Sequence, residues 1–331
     1  MNLERVDQIA KAVLYEGYML YPYRPSSVKN QQRWNFGVLY PQAYSEAQGG
    51  TDACNMRTEC LVRGNSGTRL EVRLRFLQLQ LRLTQRSAEA NPACDVWQEA
   101  VERDVSVPIF GTETTLARPI IHAFEFPAQF VIEPEPAGKG SKGRVVRRQS
   151  AVRGELEIAA HLVGENTFKV NTVVRNSSAL EDPEASRDNA LLQSLVSTHT
   201  ILGVEGGEFV SLFEPPQELQ EQAAACQNVG AWPVLVGEPG QHDTLLASPI
   251  ILYDYPQIAP ESAGDLFDGT EIDEILSLRI MTLTDDEKRE IRQSDERARQ
   301  ILERTETMPA EQFMKLHGAV RGLRPVKEST P

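Results

Sequence analysis

The chain has 331 residues, of which 40% are hydrophobic, and its 34 Lys and Arg against 47 Asp and Glu give a formal net charge of -13. A chain of this length buries about 75% of its unfolded surface and needs neither disulfides nor metals for stability. The negative charge repels nucleic acid and anionic membranes, so neither is expected as a main partner. The charged N-terminus lacks the apolar core of a signal peptide, and no apolar run reaches the roughly 18 residues of a membrane span, so we expect a cytoplasmic protein with no integral membrane segment.

The first of three predicted zones covers residues 1–32. Apolar residues share one face of a predicted helix over residues 2–14, and the segment VLYEGYMLYPYRPSSVKN follows. Pro22 and Pro25 predict an extended course there. Tyrosine and arginine are typical of protein recognition, although tyrosines can also cover a domain edge with their hydroxyls in water. The candidate partner-binding residues are Tyr15, Tyr18, Tyr21, Tyr23, Arg24 and Trp34.

The second zone, residues 33–256, predicts an antiparallel β-sandwich or barrel-like core, because short alternating runs are separated by Gly, Pro, Asn and Asp. In EVRLRFLQLQLR the alternation changes phase at Phe76 and Leu77, which predicts a β-bulge or a strand crossing between two sheets. Hairpins are predicted across Gly164 to Asn166 and across Gly206 and Gly207. The strands predicted around and after these turns are 154–162, 168–175, 194–204, 209–213, 232–236 and 248–254.

The third zone, residues 257–331, predicts an acidic loop and a helical tail. Thr284 and Glu287 form a capping-box pattern at the start of one long helix, and Pro309 opens a last short helix. The tail is too polar to form its own core. We therefore expect it to pack on the β domain, on a second copy or on a partner, and a homo-oligomer through these helices is one alternative.

No sequence pattern names a chemistry or a catalytic residue, and no cofactor is predicted. The glycines of AGKGSKGRVV precede a strand-like run instead of a helix, which disfavours nucleotide binding. Residues 139–153 contain six basic residues and predict a solvated loop, or else a contact for an acidic partner or a phosphate. The cysteines are predicted to be free thiols. No metal-binding spacing occurs, and the residues to check for a metal site are Cys60, Cys226, His199 and His242.

The strings VLYEGYMLYPYRPSSVKN, RWNFGVLYP, NVGAWPVLVGEPG, SPIILYDYPQIAPES and FDGTEIDEILSLRIMTLTDDEKREIR extend over nearly the whole chain. With them the sequence resembles an uncharacterised bacterial family associated with nickel-iron hydrogenase gene clusters. The resemblance implies a non-enzymatic accessory or assembly factor that binds a hydrogenase subunit or a maturation partner. It transfers no catalytic residue. The alternative is a hydrolase or metal-dependent enzyme with a site assembled at one end of the β domain.

Overall fold

A computed structural model of the chain describes residues 36–86, 94–111, 118–134 and 143–257. Before them it describes the helical positions Val6, Ile9, Ala10 and Leu14, and after them residues 283–285, 288–289, 292 and 296–307. The described residues up to Gln257 belong to one compact unit, and the later ones belong to a second. The first unit is mainly antiparallel β, and its sheet is open.

Ten strands form this sheet, and alternating apolar and polar residues build most of them. The strands are β1 (Asn55–Arg86), β2 (Cys94–Gly111), β3 (Ile120–Phe126), β4 (Gln129–Pro134), β5 (Gly143–Gln149), β6 (Val152–Gly164), β7 (Thr167–Asn176), β8 (Val196–Val210), β9 (Trp232–Leu235) and β10 (Thr244–Ser248). The short helix α1 (Gln42–Ala47) precedes β1, α2 (Arg187–Leu191) lies between β7 and β8, and α3 (Gln220–Ala224) lies between β8 and β9, with a 3-10 turn at Gln217–Leu219 before α3. The order is β3-β6-β7-β1-β8-β10-β9, while β2 pairs with β1 and β5 joins β1 to β4.

Strand β1 organises the sheet because it exchanges partners along its 32 residues. On one side it pairs first with β7 over residues 55–63 and then with β2 over residues 69–85. On the other side it pairs first with β8 over residues 61–77 and then with β5 over residues 80–86. The two halves of β1 therefore pair with different strands. Residues 80–86 of β1 belong to a four-stranded end of the sheet with the order β4-β5-β1-β2.

The predicted irregularity at Phe76 and Leu77 is present in the pairing of β1 with β8. Arg75 lies opposite His199 and Leu77 lies opposite Val196, so the extra residue of the bulge belongs to β8. Ser197, inside this bulge, has a φ of 51°, which is rare for a residue other than glycine. The bulge coincides with the place where the β1 side chains become buried on both faces.

The predicted hairpin across Gly164 to Asn166 is confirmed, because β6 and β7 pair antiparallel around it. The second predicted hairpin is wrong, because β8 continues through Gly206 and Gly207. Gly206 has a φ of 68° and its carbonyl accepts a hydrogen bond from Thr68 Oγ1. These glycines let β8 pass close to β1, since a Cβ on Gly207 would lie 2.6 Å from the Arg63 carbonyl oxygen.

The main core lies between the second half of β1 and strands β3 and β6. Phe76 packs against Phe124 and Phe126, with ring centroids 5.9 and 5.7 Å away. Gly154 of β6 makes room for this cluster, because a Cβ there would lie 2.3 Å from the Phe124 ring. Aliphatic side chains from β1, β2, β6, β7, β8 and β10 complete the core.

Asn176, at the end of β7, ties three segments of the first unit together. Its buried Nδ2 donates to the carbonyls of Leu39 (2.8 Å) and Gln193 (2.9 Å), and its Oδ1 accepts from Ser178 N at 2.9 Å. The side chain thus joins backbone groups before α1, after α2 and after β7, and the Leu39 carbonyl also accepts from Leu195 N at 3.0 Å.

We expect Asn176→Ala to lower the free energy of unfolding by about 2 kcal/mol, because the Gln193 carbonyl and the Ser178 amide lose the Asn176 side chain as a partner and the Leu39 carbonyl keeps only Leu195 N. Urea denaturation followed by circular dichroism measures the change. Asn55→Ala, at an exposed position of β1 on the same β1–β7 ladder, is the control and should change stability by less than about 0.5 kcal/mol. Equal effects of the two substitutions would show that the Asn176 bonds carry no net stability.

The described part of the second unit contradicts the prediction of one long helix from Thr284. Helix α4 covers Glu296–Thr307, and its Glu306 is paired with Lys288 Nζ at 3.2 Å and with Arg292 at 2.5 Å. A continuous helix would hold residues 288 and 306 about 27 Å apart. Lys288 and Arg292 therefore do not belong to one continuous helix with α4. Most of the predicted acidic loop and the helix predicted from Pro309 lie outside the described residues.

Of the predicted N-terminal helix, the structure describes four positions. Val6, Ile9, Ala10 and Leu14 are helical and buried. The rest of that segment lies outside the described residues.

Candidate protein-binding surface

The four-stranded end β4-β5-β1-β2 presents two chemically different faces. Its register places Ile132, Val146, Leu83 and Val96 opposite one another in a single row across the four strands. The next row contains Phe130, Arg148, Leu81 and Gln98. Because residues directly opposite one another share a face of a sheet, these two rows lie on the same side.

This side is apolar and open to solvent. Phe130, Ile132 and Val96 are 66%, 55% and 58% exposed, and the other apolar members are half-buried. We call this surface the apolar face, and it consists of Leu81, Leu83, Val96, Phe130, Ile132 and Val146. Monomeric proteins rarely expose a contiguous patch of this kind, and such patches are typical of interaction sites.

The opposite face of the same four strands includes Val131, Val145 and Trp97, but most of its side chains are polar and several of them pair with one another. Glu99 accepts from Arg147 Nε at 2.9 Å and from Gln80 Nε2 at 3.0 Å, and its second oxygen lies 3.5 Å from Arg82 Nε. Arg147 also reaches Glu133 at 2.5 Å. Burial opposes the charge of Arg147, but the two carboxylates outweigh it and raise its pKa. The charged side chains of this second face form ion pairs with one another. The apolar face is therefore the side of the four-stranded end that a partner would cover.

Arg148 differs from its neighbours in this charge pattern. It is exposed, it lies between Phe130 and Leu81 in the second row, and no carboxylate in the described part of the chain pairs with it. The basic segment 139–153 was expected to be a solvated loop, but residues 143–149 form strand β5. Pairing with both β1 and β4 therefore fixes the position of this arginine within an apolar surface.

A second, smaller apolar patch lies near the end of the first unit. The exposed rings of Phe213 and Tyr253 contact each other edge to face at 5.3 Å. Nearby, Ser211 Oγ donates to Asp254 Oδ2 and accepts from the amides of Phe213 and Glu214. These bonds hold a turn, and the Ser211 hydroxyl is occupied by them.

The predicted partner-binding residues Tyr15, Tyr18, Tyr21, Tyr23, Arg24 and Trp34 lie outside the described residues. The four metal candidates are described, and of these Cys226 is close enough to Cys60 to contribute to the raised pKa of the Cys60 thiol. Among the described residues, no group of three or more His, Cys, Asp or Glu side chains is arranged to hold a metal ion.

Cys60 and Cys226 are free thiols on different sides of strand β1. Cys60 belongs to the main core, whereas Cys226 packs with Leu61 against α3. Burial raises the pKa of both thiols, that of Cys226 to about 11. Neither has the depressed pKa that makes a cysteine reactive at neutral pH.

The two histidine candidates are held by backbone carbonyls. His242 Nδ1 lies 3.0 Å from the Phe209 carbonyl oxygen, and its Nε2 lies 3.4 Å from the Tyr255 hydroxyl. His199 is completely buried in β8, and its Nδ1 lies 2.7 Å from the Ser197 carbonyl oxygen. Neither bonds to Ser211, so Ser211 and these two histidines do not form the hydrogen-bonded nucleophile and base of a serine hydrolase.

The sequence signals for the apolar face were present but were not recognised. The residues of the apolar face fall in short segments that separately resemble ordinary half-buried strands, such as those around Val96, Phe130 to Ile132 and Val146. Only the register that brings them into rows makes them a surface.

The geometry defines a mainly antiparallel β protein with an exposed apolar sheet face. No protein-family model matches the chain, and no curated protein matches it. Among the described residues, no helix is long and apolar enough to cross a bilayer.

Proposed function

We propose that this protein is a non-enzymatic accessory or assembly factor that binds another protein through the apolar face. The observation that carries the proposal is the row of Ile132, Val146, Leu83 and Val96, which leaves one side of a four-stranded sheet uncovered. A sheet face of this composition gains stability when another element covers it. The proposed partner is a nickel-iron hydrogenase subunit or a maturation factor in the cytoplasm, as the family resemblance implies.

The terminal segments belong to the same proposal. The predicted N-terminal helix with its Tyr and Arg segment, and the helical tail, would supply further contacts to the partner. They are rich in the residue types that dominate binding energies at protein interfaces.

We expect Val96→Asp to reduce partner capture at least tenfold, because a carboxylate covered by an apolar interface loses its hydration without gaining a bond. The measurement is a tagged pull-down from the native host under hydrogenase-inducing conditions, with quantitative mass spectrometry. Val96 is 58% exposed, so the substitution should leave the melting temperature unchanged within about 2 °C.

Leu162→Asp is the matched control, since Leu162 is 59% exposed on β6 and lies outside the apolar face. It should capture the partner as the unmodified chain does. Equal capture by both variants would remove the apolar face from the proposal. If the unmodified chain captures no stoichiometric partner, the accessory role itself is wrong.

A further inference from the structure

The shape of the apolar face restricts what can cover it. A strand added to the edge of β4 would lengthen the sheet and leave the row of Ile132, Val146, Leu83 and Val96 in solvent. An element laid across the face covers all four. The outer two of four strands lie about 14 Å apart, which is close to the diameter of about 10–12 Å of an α-helix with its side chains. Coverage and size therefore favour a helix over an added strand.

Charge restricts the partner further. Arg148 lies between Phe130 and Leu81 of the apolar face. A partner that covers these two residues also removes much of the water around the Arg148 guanidinium. A guanidinium buried in this way requires a carboxylate or another strong acceptor. A second copy of the chain packed face to face would instead bring two arginines together, and two chains of net charge -13 repel each other. Charge complementarity thus favours a different protein with an acidic residue beside its apolar stripe.

We propose that the apolar face binds an amphipathic helix of another protein, and that an Asp or Glu beside the apolar stripe of that helix pairs with Arg148. This inference rests on the proposed function and specifies the partner segment. Leu83, Val96, Ile132 and Val146 supply the contact area, while Arg148 sets the register and the charge preference.

The test begins with a photoreactive phenylalanine analogue in place of Val96 in the full-length chain. Cross-linking in the native host, followed by sequencing of the attached peptide, identifies the segment on the apolar face. We expect a peptide of another protein with apolar residues at helical spacing and an acidic residue beside them. A synthetic copy of that peptide is then titrated against the purified full-length chain by fluorescence anisotropy.

Arg148→Glu should weaken binding of this synthetic peptide about tenfold or more, and Arg148→Lys should retain most of it. Replacing the acidic residue of the peptide with Lys should restore binding to the Arg148→Glu variant. Arg69→Glu, at an exposed position of β1 away from the four-stranded end, is the control and should have little effect.

Five outcomes would overturn the inference. A cross-link to a segment of the same chain means a second copy or an internal contact, and a cross-link to lipid means a membrane surface. A partner peptide without helical spacing, or one whose affinity is unchanged by Arg148→Glu, contradicts the helix or the ion pair but leaves the accessory role standing. No cross-link, together with no captured partner, rejects both proposals.

Discussion

Replacing Phe76 with alanine is expected to lower the free energy of unfolding by about 3–5 kcal/mol, the usual cost of removing a buried aromatic ring. Phe76 of β1 is fully buried and touches the rings of Phe124 and Phe126 on β3. Strands β1 and β3 are not neighbours in the sheet. The cavity cannot close easily because Gly154 already brings the β6 backbone against the Phe124 ring. The substitution therefore weakens the contact that holds β1 and β3 together.

Guanidinium denaturation monitored by tryptophan fluorescence measures this change. Phe130→Ala is the control, because Phe130 is 66% exposed on β4 and should contribute less than about 0.5 kcal/mol to stability. Phe76→Leu keeps part of the volume and should fall between the two. A loss below about 1 kcal/mol for Phe76→Ala would show that the Phe76 cluster is not a main element of the core.

His199 is expected to make the protein less stable as the pH falls below about 6.5, the ordinary pKa of a histidine in the unfolded chain. Burial lowers its pKa in the folded protein to about 4, and the nearby charge of Arg75 acts in the same direction. Between these two values the unfolded chain binds a proton that the folded chain does not, so unfolding becomes more favourable as the pH decreases. Above pH 6.5 this contribution to stability is fully present.

The expected loss from His199 between pH 7.5 and pH 5 is about 2 kcal/mol, because each pH unit below 6.5 costs about 1.4 kcal/mol. Urea denaturation of the unmodified chain and of His199→Gln at both pH values separates this loss from the titration of carboxylates. The variant should lose about 2 kcal/mol less than the unmodified chain over this range. His161→Gln, at an exposed position of β6, should behave as the unmodified chain does. An identical pH dependence in all three proteins would mean that His199 takes up its proton without unfolding.

The two stability predictions and the binding predictions concern different parts of the first unit. Phe76 and His199 lie in the interior, whereas Val96 and Arg148 lie on an exposed side of the four-stranded end. Substitutions at Val96 or Arg148 should therefore change binding without changing stability. This separation makes a loss of partner capture interpretable as a loss of contact.

Local patterns in the sequence were sufficient to predict an antiparallel β protein and several of its strands. The β6–β7 hairpin follows from two alternating runs around Gly164 to Asn166, since both strands and their turn are adjacent in the chain. The strand predicted at 248–254 is instead β10 at Thr244–Ser248. The apolar run after Ser248 predicts a strand, but in the structure β10 ends at Ser248, and Ile251 and Tyr253 are exposed beyond it.

What the sequence by itself determined about this protein is the alternation along each strand, and hence its β class. Only the tertiary structure decided which strands pair, because pairing depends on contacts between residues distant in the chain. The apolar face joins Leu83 to Val96, Ile132 and Val146 through three registers, and no local pattern contains that information. Burial is likewise a property of the assembled sheet. The same residue type is buried at Phe76, where Phe124 and Phe126 of β3 pack against it, and is 66% exposed at Phe130.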